Sequence, residues 1–370
     1  MMKKITDLIT VAAVCMVILC LSLLFFMLPD SQMSEKENRS LATMPKFSLN
    51  ALASGQYTAD LANYIADQFP ARDVFVSVKA YSELVFGKRE NNGIIYAEND
   101  TLIERSEISE NRIADNLNAV KELQASADVP ICVAAVPRKV DVFSGLLPTE
   151  YPKEDDAQLW TDFYNTAKQL SLTAPKLYDA LCDGNNYYRT DHHYNIYGAY
   201  STYQILGEPL GYTPVALSEF SVEKVSDDFC GTAMRTSGFY LAKRDEITLL
   251  RYKGDTDYTV TADGKSIELY DMSKLEATDK YAVFLGGNHA RVDIISNGEK
   301  PKLLVIRDSF ADCLAPFLAI HYDITLIDLR YYNQSVQMLI ENEKFDRVLL
   351  LESIDELATN KNLSKLRMVE

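Results

Sequence analysis

Apolar residues run almost unbroken from about Leu8 to Leu28, interrupted only by Thr10 and Ser22. A helix of that length spans the hydrocarbon core of a bilayer. Met1-Met2-Lys3-Lys4 precedes the run, and it ends Leu24-Phe25-Phe26-Met27-Leu28-Pro29 without a small-x-small cleavage site. This pattern predicts an uncleaved signal anchor over residues 1–29, with the N-terminus held in the cytoplasm by the two lysines; the alternative is a signal cleaved elsewhere. The rest of the chain is then extracytoplasmic. Residues 30–50 are polar and charged (Ser34-Glu35-Lys36-Glu37-Asn38-Arg39) and read as a linker to a main domain over 51–370.

Beyond the linker the periodicity changes repeatedly. Leu61, Ile65 and Phe69 recur at helical spacing until Pro70 stops the helix. Residues 98–107 look like a short hairpin region. Ile113, Leu117, Val120 and Leu123 lay an apolar stripe along a helix over 110–126, and residues 129–136 follow as a buried strand. A helix is expected over 156–170, with 173–181 leading back to the sheet, and another around Tyr197–Tyr203. From about 217 to 299 the segments become short, alternating and punctuated by Gly-Asp and Asp-Gly turns, which predicts a β-rich insertion. The helix and strand alternation then returns: strand to Ile306, helix through Ile320, strand Ile324–Leu329, helix Val336–Glu343, strand Arg347–Leu351. The fold class is α/β, a mostly parallel sheet flanked by helices.

Charge narrows the partners. The net charge of −16 argues against nucleic acid or an anionic surface as a ligand of the chain, because both need clustered Lys and Arg. Two of the six cysteines lie inside the anchor. The other four have no metal-ligand or Cys-x-x-Cys spacing, so free thiols are expected, Cys182–Cys230 being the only bridge worth testing. No cofactor or metal is expected. The 22 tyrosines fit either a sugar-binding surface or a buried aromatic core.

Two motifs carry chemistry. Tyr188-Arg189-Thr190-Asp191-His192-His193-Tyr194-Asn195 sets an acid two residues before a histidine, in a chain with four histidines. Leu303-Leu304-Val305-Ile306-Arg307-Asp308-Ser309-Phe310 sets a serine where a buried strand turns into a helix. Together they supply nucleophile (Ser309), base (His193) and orienting acid (Asp191) for acyl transfer. Alternatives stand beside each. Ser309, with Asp308, is also a suitable helix cap. Asp191-His192-His193 suits a metal, although such sites need further ligands. On an extended segment His192 would face away from His193. Gly287 and Asn288, after an apolar strand expected over Tyr281–Leu285, are candidates for an oxyanion or substrate contact, or a plain turn. Arg330 is a candidate for a substrate anion, or a partner for Asp328.

At these residues the chain resembles the DHHW family, which is related to SGNH-hydrolase-like proteins that O-acetylate alginate and other exported polysaccharides. The resemblance also covers Glu37-Asn38-Arg39-Ser40-Leu41, Asp67-Gln68-Phe69-Pro70-Ala71-Arg72 and Gly87-Lys88-Arg89-Glu90-Asn91-Asn92-Gly93. It implies an SGNH-hydrolase-like (flavodoxin-like) fold. It also implies an O-acetyltransferase or esterase acting through Asp191, His193 and Ser309 on a cell-surface or exported glycan. An acyl donor is then needed, with a membrane acyltransferase as a candidate partner; the alternative is a non-turnover polysaccharide-binding scaffold. Tyr194 replaces the family's usual tryptophan, and Arg307 stands where SGNH enzymes have the glycine of Gly-Asp-Ser, which puts bulk next to the oxyanion site.

Overall fold

The computed structural model describes residues 2–34, 39–105, 110–149, 151, 156–182, 184–254 and 257–368. The chain divides into two compact units, Met1–Lys88 with Arg235–Tyr240, and Arg89–Met234 with Leu241–Glu370.

The first unit begins with α1 (Met2–Met27), whose stretch Ile5–Met27 is apolar and long enough to cross a membrane. Two amphipathic helices follow, α2 (Gln56–Asp67) and α3 (Arg72–Val85), separated at Phe69-Pro70 as the spacing predicts. The polar segment after α1 is laced to the end of α2. Arg39 grips the Asp67 carboxylate as a fork at 2.6 and 2.9 Å, and the Ala42 N–H donates to the same group at 2.8 Å. Gln68 both accepts from the Ser31 N–H and donates to the Ser31 carbonyl, each at 2.9 Å. The Arg39 hydrogen bond holds the Asp67 carboxyl below its usual range, against the effect of burial. Two of the family-like motifs therefore meet in one clasp; Glu37 and Asn38 lie outside the described residues.

In the second unit the apolar runs become strands and the stripes become helices. In chain order it contains β1 (Ile94–Tyr96), β2 (Leu102–Glu104), α4 (Glu110–Ala127), β3 (Ile131–Val136), α5 (Asp156–Gln169) and α6 (Ile196–Leu210). Then come β4 (Phe220–Phe229), β5 (Asp245–Tyr252), β6 (Tyr258–Ala262), β7 (Arg291–Ser296), β8 (Lys302–Arg307), α7 (Phe310–Leu318), β9 (Asp323–Ile327), α8 (Val336–Glu343) and β10 (Arg347–Ser353).

The main sheet has seven strands: the short strand Lys265–Ser266, then β6, β7, β9, β8, β10 and β3. Pairs β9–β8, β8–β10 and β10–β3 are parallel, whereas β7 joins β9 and β6 antiparallel. Side chains along β8 alternate between two cores. Leu303 and Val305 join α6 and α7 on one face; Leu304 and Ile306 join α4, α5 and α8 on the other. Covering both faces is what lets these strands read as continuous apolar runs.

The β-rich region is divided: β4 and β5 pair as a two-stranded sheet, and β6 and β7 extend the main sheet antiparallel. Two expectations need correction. Residues 173–181 contain a helix, Leu177–Leu181, which packs on β3, and pair with the sheet at the bridge Thr173–Cys132. The run Tyr281–Leu285 is a buried 3₁₀ turn over Lys280–Val283 rather than a strand. A five-residue apolar run does not by itself distinguish strand from buried helical turn. None of the six cysteines forms a disulfide among the described residues, Cys182 and Cys230 included.

Because β3, β8, β9 and β10 run in one direction, their carboxyl ends share one edge. Lys139, Ser309, Asp328, Arg330 and Ser353 all lie just beyond or at these ends. In an open α/β sheet this edge is where ligands bind.

Candidate active site

The Asp-His motif sits on a tight loop between the bridged residues Tyr187 and Tyr194. Two buried polar groups hold it. The Asp245 carboxylate accepts the N–H groups of Arg189 (2.9 Å) and Thr190 (2.7 Å) and the Thr190 hydroxyl (2.6 Å). Lys139 Nζ donates to the carbonyls of Leu102 (2.6 Å) and Arg189 (2.8 Å), and its burial pulls its pKa down to about 8. Asn195 then closes the loop by capping α6, its side-chain oxygen accepting from Tyr197 and Gly198.

Within this frame Asp191 Oδ1 lies 2.6 Å from His193 Nδ1 and accepts the His193 backbone N–H at 3.0 Å; Oδ2 accepts the Thr232 N–H at 2.7 Å. An ionised carboxylate can only accept, so Nδ1 carries the imidazole proton and Nε2 is left as acceptor. His193 Nε2 is 2.7 Å from Ser309 Oγ. Asp191 and His193 are buried, while Ser309 is partly exposed. Burial pushes the His193 pKa down to about 4, aided by His192 and opposed by Asp191. Burial also disfavours the Asp191 anion, but His192 and His193 outweigh it and hold the carboxyl well below its usual range. The base is therefore neutral and the acid ionised near pH 7.

The cap alternative for Ser309 does not describe its side chain. Ser309 has φ −68° and ψ −12° and makes no capping bond. Asp308 does that work, accepting the Phe310 N–H at 2.9 Å and the Ser353 N–H at 2.7 Å. The Ser309 N–H has no acceptor among the described residues and opens the first turn of α7, where an oxyanion would be stabilised. Arg307 does not crowd this position. Its guanidinium is fully buried in the core, 3.0 Å from Asp312 and 3.9 Å from Asp328.

Other sequence candidates stand apart. Asn288 is exposed and Gly287 part-buried in a turn where Leu285, Gly286 and Gly287 all have positive φ, and neither hydrogen-bonds Ser309, His193 or Asp191. Arg330 forks onto Asp328 at 2.7 to 3.1 Å, as the pairing alternative has it, and its charge still bears on His193. The histidine rings are not back to back: His192 and His193 lie 3.9 Å apart, because the loop is bent by its bonds to Asp245 rather than extended. Asp191, His192 and His193 bring donor atoms within 4.8 Å of one another, a possible metal cluster. Both ring nitrogens of His193 are already engaged by Asp191 and Ser309, so a metal would have to break those bonds.

Sequence reasoning missed Tyr281. Its ring stacks on His193 at 4.0 Å and 8°, and its hydroxyl lies 3.1 Å from the Ser309 carbonyl and 3.2 Å from Cys313 Sγ. It missed Gly231 too. A Cβ there would lie 2.4 Å from Asp191 Cβ and 2.5 Å from the Thr190 carbonyl. Gly231→Ala must therefore displace the acid. A misplacement of about 1 Å costs on the order of 10²-fold in rate, so ester turnover should fall by about that factor while the protein still melts cooperatively. Turnover within twofold of the parent would count against the placement of Asp191.

Comparison with known proteins places the fold. Residues 95–232 match the family model of the SGNH hydrolase-like domain of acetyltransferase AlgX, and residues 176–327 match that of the DHHW protein. Among solved structures, the chain resembles a DHHW family protein from Eubacterium siraeum with a TM-score of 0.59 and 20% identity, covering 75% of this chain and 96% of that one. It resembles Bacillus cereus PatB1, solved with a sulfonyl adduct, with a TM-score of 0.60 and 19% identity, covering 75% of this chain and all of that one. No curated protein matches by sequence. The fold is SGNH-hydrolase-like, mixed α/β with a β-rich region.

Proposed function

We propose that this chain is a serine-dependent O-acyltransferase or esterase that acts on O-acetyl groups of an exported or cell-surface polysaccharide, held to the membrane by α1 with residues 51–370 outside. The observation that carries the reading is the relay Asp191–His193–Ser309, in which the serine hydroxyl faces a neutral imidazole at 2.7 Å instead of capping its helix. The match to an acetyltransferase family model supports the reaction class. A scaffold without turnover has no use for such an arrangement.

The residues divide the work as follows. His193 Nε2 takes the Ser309 proton as Oγ attacks the acyl carbonyl. The Ser309 N–H stabilises the oxyanion, and Asp191 stabilises the imidazolium through Nδ1–H. The imidazolium then gives its proton to the departing donor oxygen, leaving an acyl-serine. In the second half a sugar hydroxyl, or water, loses its proton to His193 and attacks the acyl carbonyl. As the bond to Ser309 Oγ breaks, the imidazolium returns the proton to that oxygen. Tyr281 and Phe310 flank the imidazole and limit its rotation. Gly287, Asn288 and Arg330 are proposed substrate contacts; Arg330 is the best supported, being about one-third exposed with its charge felt by Asp308 and His193. The acyl donor, with a membrane acyltransferase to deliver it, belongs to this proposal too.

The pH dependence follows from burial. His193 must be neutral to accept a proton, and its pKa lies near 4, below the ordinary 6.5. Activity should be retained as pH falls through 6 and be lost only near 4. The acidic limb of kcat/KM for a chromogenic acetyl ester checks this; a limb near 6.5 would mean the imidazole is not buried as described.

A further inference from the structure

Helix α3 carries apolar residues on two sides, and those on one side stay largely exposed among the described residues. On the inner side Ala80 is fully buried, and at the border between the two sides, next to Val74 around the helix, Tyr81 packs its ring edge against Phe239 of the same unit at 5.6 Å. On the outer side Val74, Val78 and Val85 recur at i, i+4 and i+11, with Phe75 beside them and Phe86 just past the helix end. These residues are exposed, Val85 at 82% and Phe86 at 90%, and Leu49 before α2 is exposed at 75%. Single exposed apolar residues are ordinary, but a stripe of this kind normally marks a contact surface.

We infer that this face rests in the headgroup and acyl boundary of the bilayer that α1 enters, making the first unit an interfacial platform as well as a tether. Continuity with α1 chooses the lipid. Phe25 of α1 meets the Tyr64 ring of α2 at 5.9 Å, Tyr64 Oη donates to Asp30 at 2.9 Å, and Gln68 clasps Ser31. The end of α2 is thus bound to the residues where α1 leaves the apolar layer, a level at which tyrosine is favoured. Charge agrees. Residues 29–88 carry seven acidic and six basic side chains, a net −1, in a chain of net −16. The segment next to α1 is thus the part of the chain that an anionic leaflet repels least.

The test uses the full chain in nanodiscs of phosphatidylethanolamine and phosphatidylglycerol, with and without brominated acyl chains. The chain's one tryptophan, Trp160, is buried and contributes a constant background. Val78→Trp adds a reporter on the outer side, and Glu83→Trp adds one on a different side of α3. Brominated lipid should quench Val78→Trp at least threefold more strongly than Glu83→Trp, and Phe75→Trp, a smaller change on the same face, should repeat the result. Equal quenching at both sides, or none at positions 75 and 78, would overturn the inference and leave the face to a protein partner. The inference rests on α1 remaining in the bilayer. Resistance of the same full chain to carbonate extraction reads that premise separately.

Discussion

Ser309→Ala should abolish turnover of an acetyl ester, by several powers of ten, and leave the melting temperature within a few degrees of the parent. The two effects separate because of where the hydroxyl points. Ser309 Oγ bonds His193 and no backbone N–H, whereas Asp308 supplies the bonds at the start of α7. Losing a true cap costs about 1 kcal/mol, and here even that cost is absent. Losing a nucleophile removes the covalent route altogether. His193→Ala should match Ser309→Ala, and the double variant should be no slower than either, because members of such a relay act as a unit. Losses that multiply would mean independent roles. Kinetics and calorimetry on the three variants check the whole set.

Asp191→Asn should lower kcat by about 10⁴-fold, because an amide in this position reverses the tautomer of the base. The carboxylate accepts on both oxygens, from His193 through Nδ1 and the backbone and from Thr232. An amide has one acceptor oxygen. If that oxygen stays with Thr232, its NH₂ faces His193, Nδ1 must become the acceptor, and the proton moves to Nε2, where it opposes the serine. If the amide flips, NH₂ meets the Thr232 N–H and a buried donor is left unsatisfied, at a cost of about 1–3 kcal/mol. Either orientation fails, so activity and stability should drop together, unlike in Ser309→Ala. The ring N–H signal of His193 in NMR, shifted from Nδ1 to Nε2, would report the first orientation directly.

What the sequence carried well were features with a local signature. Leu303–Ile306 reads as a buried strand because both faces are covered, and the serine after it is located by the strand's end. Asp191 and His193 are close in sequence and could be paired on the page. What it did not carry depends on distant parts of the chain. Tyr281 meets the imidazole from a 3₁₀ turn 88 positions away from it, and nothing around Tyr281 marks it as different from other buried tyrosines. Asp245, Lys139 and Gly231 shape the loop from three further segments. The face-away reading of His192 failed for the same reason: period two holds for an extended strand, and Asp245 bends this loop. Around β6 and β7 the short alternating segments were legible as strands, but not which sheet they join, because edge pairing is decided by tertiary contacts.

The most direct test of the central claim is to trap the acyl-enzyme. The full chain is incubated with a chromogenic acetyl ester, quenched in acid, digested and read by mass spectrometry. The account predicts an acetyl group on Ser309 in the parent, more of it when the acceptor glycan is withheld, and none in Ser309→Ala. An acetyl group on another residue, or ester turnover that persists in Ser309→Ala, would contradict it.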